Sequence, residues 1–296
     1  KYTITFDVNG GDALEKESQE VTFNLPYSLP TPTKEGYLFG GWYDDCSEYT
    51  DGNWDKANDM TLKAKWLIEF GSYPQSEETD ASIIESLNTL AGTLPTAENP
   101  QLWTSYEYYL NDSVSNYMWY IDIDTNDDGL NDYRGVYFTI RRQTNLLLPY
   151  RVENFPQEVN GYNVNTTYWF RYEPIKWIVL NKNDGKALIY TDLLIDSQQY
   201  DYKGEKNYSN NYTESTIRTW INNKFYDTAF SENEKIFINT TEVNNGADYE
   251  STFDKMFLLS KEELFNTSYG FLNYYSNTYD INRISHGTDY AKLQGL

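Results

Sequence analysis

Cysteine and histidine are almost absent from this chain, where Cys46 and His286 stand alone. A single cysteine excludes an internal disulfide, a CxxC redox pair and a thiolate zinc site. A single histidine removes multi-histidine metal centres and most acid–base relays. A Ser–His–Asp triad would have to use His286, in Arg283-Ile-Ser-His-Gly-Thr-Asp289. No G-x-S-x-G nucleophile pattern accompanies it, so a loop histidine is expected. Basic residues are also scarce: 23 Lys+Arg face 45 Asp+Glu, a net charge of −22. So anionic a chain repels phosphate backbones and anionic bilayers, which argues against nucleic-acid binding and electrostatic membrane docking. No apolar run approaches the ~20 residues that span a bilayer. No charged-then-apolar leader stands at Lys1, so any export signal is expected outside these residues.

What the chain has in abundance is aromatic side chains, with 29 Tyr, 14 Phe and 8 Trp among 296 residues. That richness excludes disorder, and the length allows about two domains. The charge divides without a change of sign. Residues 1–66 carry 12 acidic and 6 basic residues, and residues 67–296 carry 33 and 17. An evenly acidic surface keeps an aromatic-rich protein soluble.

In residues 1–66, Tyr2, Ile4, Phe6 and Val8 alternate with Thr3, Thr5 and Asp7, the period of a half-buried strand. Asn9-Gly10-Gly11 supplies a tight turn. Val21 and Phe23 suggest a second strand, Leu29-Pro-Thr-Pro32 a stiff connector, and Gly36–Tyr43 a glycine-bearing strand. Leu62, Ala64 and Trp66 form a last amphipathic strand, and the first domain is expected to end there. These residues resemble the internalin-type B-repeat, or Listeria–Bacteroides repeat. The resemblance implies a small β-grasp (ubiquitin-like) module on an extracellular or wall-attached bacterial protein, serving as a spacer or protein-contact unit. The segment Asp44–Asp59, longer and acidic with Cys46 and Trp54, departs from the pattern and is expected to be a variable loop.

Residues 67–296 read as a mixed α+β domain. Asp80–Ala91 carries Ile83, Ile84, Leu87, Leu90 and Ala91 at helical spacing, with Asp80 as N-cap and Gly92 as stop. Strands are expected at Tyr117–Ile123, Tyr133–Arg141 and Lys255–Leu259, and a hairpin joins Ile175–Leu180 to Lys186–Thr191. Thr213–Phe225 is helical by period, and capping boxes stand at Ser231–Glu234 and Ser260–Glu263. Six blocks, Phe70–Gln75, Pro174–Trp177, Ser215–Asn222, Ala229–Ser231, Asp254–Ser260 and Thr288–Lys292, resemble a family of extracellular Firmicute domains of unknown function. That family is distantly similar to the C-type-lectin-like fold of formylglycine-generating enzymes. Their oxidation uses a cysteine pair, which this half of the chain lacks.

The sharpest local motif is Asp122-Ile-Asp-Thr-Asn-Asp-Asp-Gly-Leu-Asn-Asp132. Asp124, Asn126, Asp128, the Leu130 carbonyl and Asp132 offer the hard oxygens of a structural calcium site, with Gly129 at the bend. The loop resembles those of thrombospondin-type calcium repeats, yet Gly135 stands where an EF-hand has its bidentate Glu. A hairpin turn asks for the same Asn/Asp/Gly cluster, and that reading stays open. Arg134, Arg141, Arg142, Arg151 and Arg171 are the one basic concentration, suited to internal carboxylate pairing. Arg218 and Trp220 lie on the Thr213–Phe225 helix, where side-chain packing explains them as well as a site does. The run Trp103–Tyr109 is the first place to look for a sugar-stacking platform.

The sequence points to an exported bacterial protein, extracellular or attached to the wall or surface. Its expected role is non-catalytic recognition or adhesion, of a glycan or a protein. The alternative is a carbohydrate-active hydrolase whose carboxylate pair cannot be picked from 45 acidic residues.

Overall fold

A computed structural model describes residues 1–44, 47–106, 109–110, 113–114, 117–142, 155–201, 211–273, 280, 283 and 285–296. Strands dominate and helices are few and short, a mixed α+β protein. The chain divides into two compact units. One comprises residues 1–69, 176–192 and 259–285, the other residues 70–175, 193–258 and 286–296. Cys46 and Arg151 lie outside the described residues.

In the first unit, alternation along Tyr2–Asp7 buries Ile4 and Phe6 and exposes Thr3, Thr5 and Asp7. This strand pairs antiparallel with Ser18–Val21 and parallel with the start of Met60–Glu77, in the register Ile4↔Met60 and Asp7↔Lys63. Leu38–Tyr43 pairs antiparallel with Met60–Glu77 on its other side, with a bulge between Phe39 and Trp42. Ile4, Phe6, Val21, Trp42, Tyr49, Trp54, Leu62, Ala64 and Trp66 form one core. Two of its indoles also fix loops, Trp42 Nε1 donating to the Pro30 carbonyl (2.7 Å) and Trp66 Nε1 to that of Val8 (2.9 Å).

Three expectations change here. The second strand stops at Val21, and Phe23 is exposed. The strand after Met60 does not end at Trp66 but continues to Glu77. Trp54, expected in a variable loop, is fully buried. It is carried inward because Glu48–Tyr49 pairs with Leu38–Tyr43 and Gly52–Asn53 pairs with Pro26–Tyr27. Elsewhere in this unit, the Lys186–Thr191 hairpin turns on Asp184 and Gly185, both at positive φ. Ser260 and Glu263 exchange the two bonds of a capping box, opening a short 3-10 turn.

The second unit is built on an antiparallel meander. Thr167–Asn183 contributes its first residues, pairing with Tyr133–Phe138, which pairs with Met118–Ile123, which pairs with Thr104–Ser105. The helix Ala81–Ala91 has Asp80 accepting from the Ser82 and Ile83 amides and stops at Gly92. Its buried ridge is narrower than its apolar residues suggest. Leu87 and Ala91 are buried and Ile84 is partly covered, whereas Ile83 and Leu90 face solvent. The ridge meets Trp103, Trp119 and Trp169, and Asn88 accepts from Trp169 Nε1 (2.9 Å). The strand expected through Arg141 ends at Phe138, and that expected at Lys255–Leu259 is instead Thr252–Asp254, paired with Thr241–Val243.

Ahead of that helix, Glu78 is almost fully buried and accepts from Arg171 Nε (2.9 Å), Thr79 N (2.8 Å) and Asp80 N (2.9 Å). The Arg171 guanidinium, then the two amides, hold its carboxyl down at about 2, against an ordinary 4.5. A depressed carboxyl stabilises the fold above its unfolded value, and that contribution is lost as pH falls through the folded one. The protein is therefore expected to lose stability as pH drops from 4.5 toward 2. Glu78→Gln should be less stable near neutrality and show a shallower acid slope in urea denaturation. Equal acid slopes for the two proteins would contradict this.

Candidate functional site

The described residues of the second unit enclose a half-open pocket of about 240 Å³. One wall is a helical stretch that starts at Thr216, where Ser215 Oγ accepts from the Arg218 amide (3.3 Å). It passes through a π turn, Ile221–Phe225, and ends at Ala229. Ile217, Ile221, Phe225 and Ala229 are buried, while Thr216, Thr219, Trp220, Asn223, Lys224 and Thr228 line the pocket. The helix expected at Thr213–Phe225 thus begins three residues later and ends four later. Trp220 reaches the pocket and also packs against the buried Phe225, their ring centroids 5.7 Å apart.

The same helix is clamped from behind. Arg218 holds Asp254 with Nε (2.9 and 3.0 Å) and gives Nη1 to the Thr213 carbonyl (3.0 Å). One turn on, Asn222 Oδ1 accepts from the Lys255 (2.9 Å) and Met256 (3.1 Å) amides, and Nδ2 donates to the Met256 carbonyl (2.8 Å). Arg218 therefore joins two of the sequence blocks and acts structurally. A third join is Gly71 N donating to Glu234 Oε1 (3.0 Å), the acid whose other oxygen accepts from Ser231 N and Oγ in the first capping box.

The floor comes from the sheet. Asp122 and Arg134 are direct cross-strand neighbours, and Arg134 donates to both Asp122 oxygens at 2.7 Å. Its Nη1 donates to Tyr290 Oη (3.2 Å), which also bonds Tyr106 Oη (2.6 Å). The buried guanidinium lies 4.3 Å from the Tyr120 ring centroid. Beside it Tyr73 Oη donates to Asp196 Oδ2 (2.7 Å), and Asp196 Oδ1 accepts from Ser197 N (2.6 Å) and Gln198 Nε2 (3.0 Å). Burial pushes the Asp196 carboxyl up, against the opposing pull of Tyr73 and Arg142. Burial, reinforced by Asp196, also pushes Tyr73 up, and burial does the same to Tyr106 and Tyr290, so these phenols remain protonated.

The other candidates of the sequence fall as follows. Arg141 pairs with Glu158 (3.4 Å) and Arg171 with Glu78. Arg142 donates to the Gln294 carbonyl (3.0 Å) and stacks 5.2 Å from the Tyr106 centroid. Internal pairing accounts for the described arginines. Of the run 103–109, Trp103 is buried, Ser105 and Tyr106 line the pocket, and residues 107 and 108 lie outside the described residues. His286 sits in an irregular segment, its carbonyl accepting from the Leu194 amide (3.0 Å).

The acidic loop connects two paired strands. Asp124 accepts from the amides of Asn126 (3.2 Å), Asp128 (3.3 Å) and Gly129 (2.7 Å), and the Gly129 amide above all holds its carboxyl below the usual range. Asn126 Oδ1 accepts from Asp128 N, Asp128 Oδ1 from Leu130 N, and Asp132 Oδ2 from Thr125 N. Among the described residues no three His, Cys, Asp or Glu side chains gather as a metal would require. The conformation described fits a self-capped hairpin connection.

Sequence reasoning did not pick out Asp196 or the Tyr73–Asp196 contact. A signal existed in the blocks themselves, because Phe70–Gln75 supplies Tyr73, Ser215–Asn222 supplies Thr216, Thr219 and Trp220, and Thr288–Lys292 supplies Tyr290.

Residues 2–65 match the Listeria–Bacteroides repeat domain, and residues 184–293 match a domain of unknown function, DUF6273. The latter match is shorter than the sequence blocks, which begin at Phe70. A protein carrying the name of a Gly-rich membrane protein, from Evansella cellulosilytica, is 28% identical over 131 residues, 42% of this chain and 15% of its own length. Internalin H of Listeria monocytogenes is 38% identical over 89 residues, 28% of this chain and 15% of its own length. A second Evansella cellulosilytica protein, named as a membrane protein, is 38% identical over 72 residues, 23% of this chain and 10% of its length. The chain thus spans a small fraction of each of these relatives. No solved structure matches it. Among the described residues no helix is long and apolar enough to cross a membrane.

Proposed function

We propose that this chain is part of a bacterial surface protein and that its second unit is a non-catalytic recognition module, with the pocket beside Trp220 as the ligand seat. The observation that carries this reading is the pocket's construction. Its floor is a fixed network of protonated phenols and paired charges, and its wall is a helix face of hydroxyl, amide and indole groups with one ammonium, that of Lys224. Such a site binds without needing a nucleophile. The Listeria–Bacteroides repeat and the internalin relative support a place on the cell surface. The first module is read as a β-grasp, supported by the parallel pairing of Tyr2–Asp7 with Met60–Glu77 between antiparallel neighbours. A C-type-lectin-like fold for the second unit remains a proposal from sequence resemblance.

A hydrolase is the second reading, favoured by two carboxylates, Asp196 and Glu214, on one pocket. Against it, Asp196 already accepts three donors. The test is binding of the labelled full chain to Gram-positive cell walls and to epithelial cells. Saturable binding, lost in Thr219→Arg, is expected. Binding that does not saturate, or that survives this substitution, overturns the pocket's role, and release of reducing ends would favour the hydrolase.

Calcium at Asp124, Asn126, Asp128, Leu130 and Asp132 rests on the spacing of oxygens in the sequence. The measurement is calorimetric titration of the chelator-treated chain with millimolar calcium. Heat uptake or release with a raised melting temperature is the outcome expected of a site, and neither would occur at a simple hairpin turn.

A further inference from the structure

We propose that the pocket takes one neutral, hydroxyl-rich ring, the terminal residue of a glycan entering end-on with its C–H face against Trp220. This inference rests on the reading of the pocket as the ligand seat. Its volume, about 240 Å³, lies below the ~300–1,000 Å³ of sites for larger organic ligands. A space of that size suits a single ring.

Charge narrows the class from both sides. The lining sets two carboxylates, Asp196 and Glu214, against two cations, Arg134 and Lys224, so an anionic ligand meets no net positive charge. The buried cation gives it little in return, because Arg134 already has Nε and Nη2 on Asp122 and Nη1 on Tyr290. A cationic ligand is disfavoured as well. The lining offers it no net negative charge, and two of the rings already face cations, Arg134 at Tyr120 (4.3 Å) and Arg142 at Tyr106 (5.2 Å). A further cation would add like-charge repulsion to rings whose quadrupole is in use.

What is left is a neutral ligand, and the walls describe its surface. Thr219 and Asn223 on the helix offer hydroxyl and amide groups that both donate and accept, as a sugar hydroxyl does, and the Thr216 hydroxyl, which donates to the Tyr200 carbonyl, adds an acceptor. Between them Trp220 offers a flat apolar ring, matching the C–H face of the same sugar. An apolar ligand would leave those hydroxyls and amides unpaired on binding.

The test is an array of the full chain on immobilised glycans with neutral, sialylated, sulfated and phosphocholine-bearing ends. It is run beside Trp220→Ala and Thr219→Arg. The Trp220 ring contacts Phe225, so Trp220→Ala could weaken the fold. Thr219 is exposed on the pocket wall, and an arginine there blocks the opening without entering the core. Binding is expected on neutral ends, weakened about tenfold or more by each substitution. Binding confined to charged ends and lost in Thr219→Arg overturns the ligand class while sparing the pocket. Binding unchanged in Thr219→Arg overturns both, and a blank array overturns the ligand class.

Discussion

Arg134→Ala is expected to remove about 3–5 kcal/mol of folding stability, the range for breaking a buried ion pair by deleting one partner. The reason lies in what stays behind. Arg134 is 3% exposed, and its loss leaves the Asp122 carboxylate without the two donors that neutralise it. It also removes the donor to Tyr290 and the cation stacked on Tyr120. The Asp122 side chain is 21% exposed, so water recovers part of the cost and the lower half of the range is the better expectation. Urea denaturation of Arg134→Ala, Asp122→Asn and the double variant measures it. A double variant clearly more stable than the sum of the single losses identifies the pair as the coupled unit. A loss below about 1 kcal/mol, the size of an exposed pair, would show that the floor is not fixed as described.

Gly71→Ala is the second large effect, at about 2–4 kcal/mol, because positive-φ strain and overpacking add at one residue. Gly71 has φ +72°, and an added Cβ would stand 2.6 Å from the Ala229 carbonyl oxygen and 2.6 Å from the Phe230 ring. Neither can yield easily, since Ala229 closes the pocket helix and Phe230 is buried beside Phe225. Gly161 provides the control, with φ +90° and nothing within 4 Å of its added Cβ. Gly161→Ala should show only the conformational part, about 1 kcal/mol. Equal losses at the two positions would mean that the contact with Ala229 and Phe230 contributes nothing.

These two residues also show where sequence reading reaches and where it stops. The first module was legible because its core is written at period two. Ile4, Phe6, Leu62 and Ala64 are buried as the alternation requires. Trp54 was not, because nothing periodic surrounds it and its burial depends on Gly52–Asn53 finding Pro26–Tyr27. Helix ends were legible at Asp80 and Gly92, since caps are local chemistry, whereas the narrow buried ridge depends on which tryptophans the sheet presents.

The pocket was the least legible part. Tyr73 and Asp196 are 123 residues apart, and Arg134 and Tyr290 are 156 apart. No local spacing encodes either contact. Among the described arginines of that group, Arg134, Arg141 and Arg171 pair with carboxylates as a chain with 45 acids allows, whereas Arg142 is held by Gln294. Asp122 for Arg134 is a matter of strand register, whereas Glu78 reaches Arg171 from just past the end of the strand Met60–Glu77. The blocks Ser215–Asn222 and Asp254–Ser260 were visible as a resemblance, and Arg218–Asp254 with Asn222–Met256 gives that resemblance a physical cause.

Hydrogen exchange of the full chain, with and without its best-binding array glycan, reads whether ligand enters beside Trp220. Protection is predicted at residues 216–228 and 105–106, which contribute to the pocket lining. Protection confined to residues 1–66, or to the loop at 124–132, would contradict it.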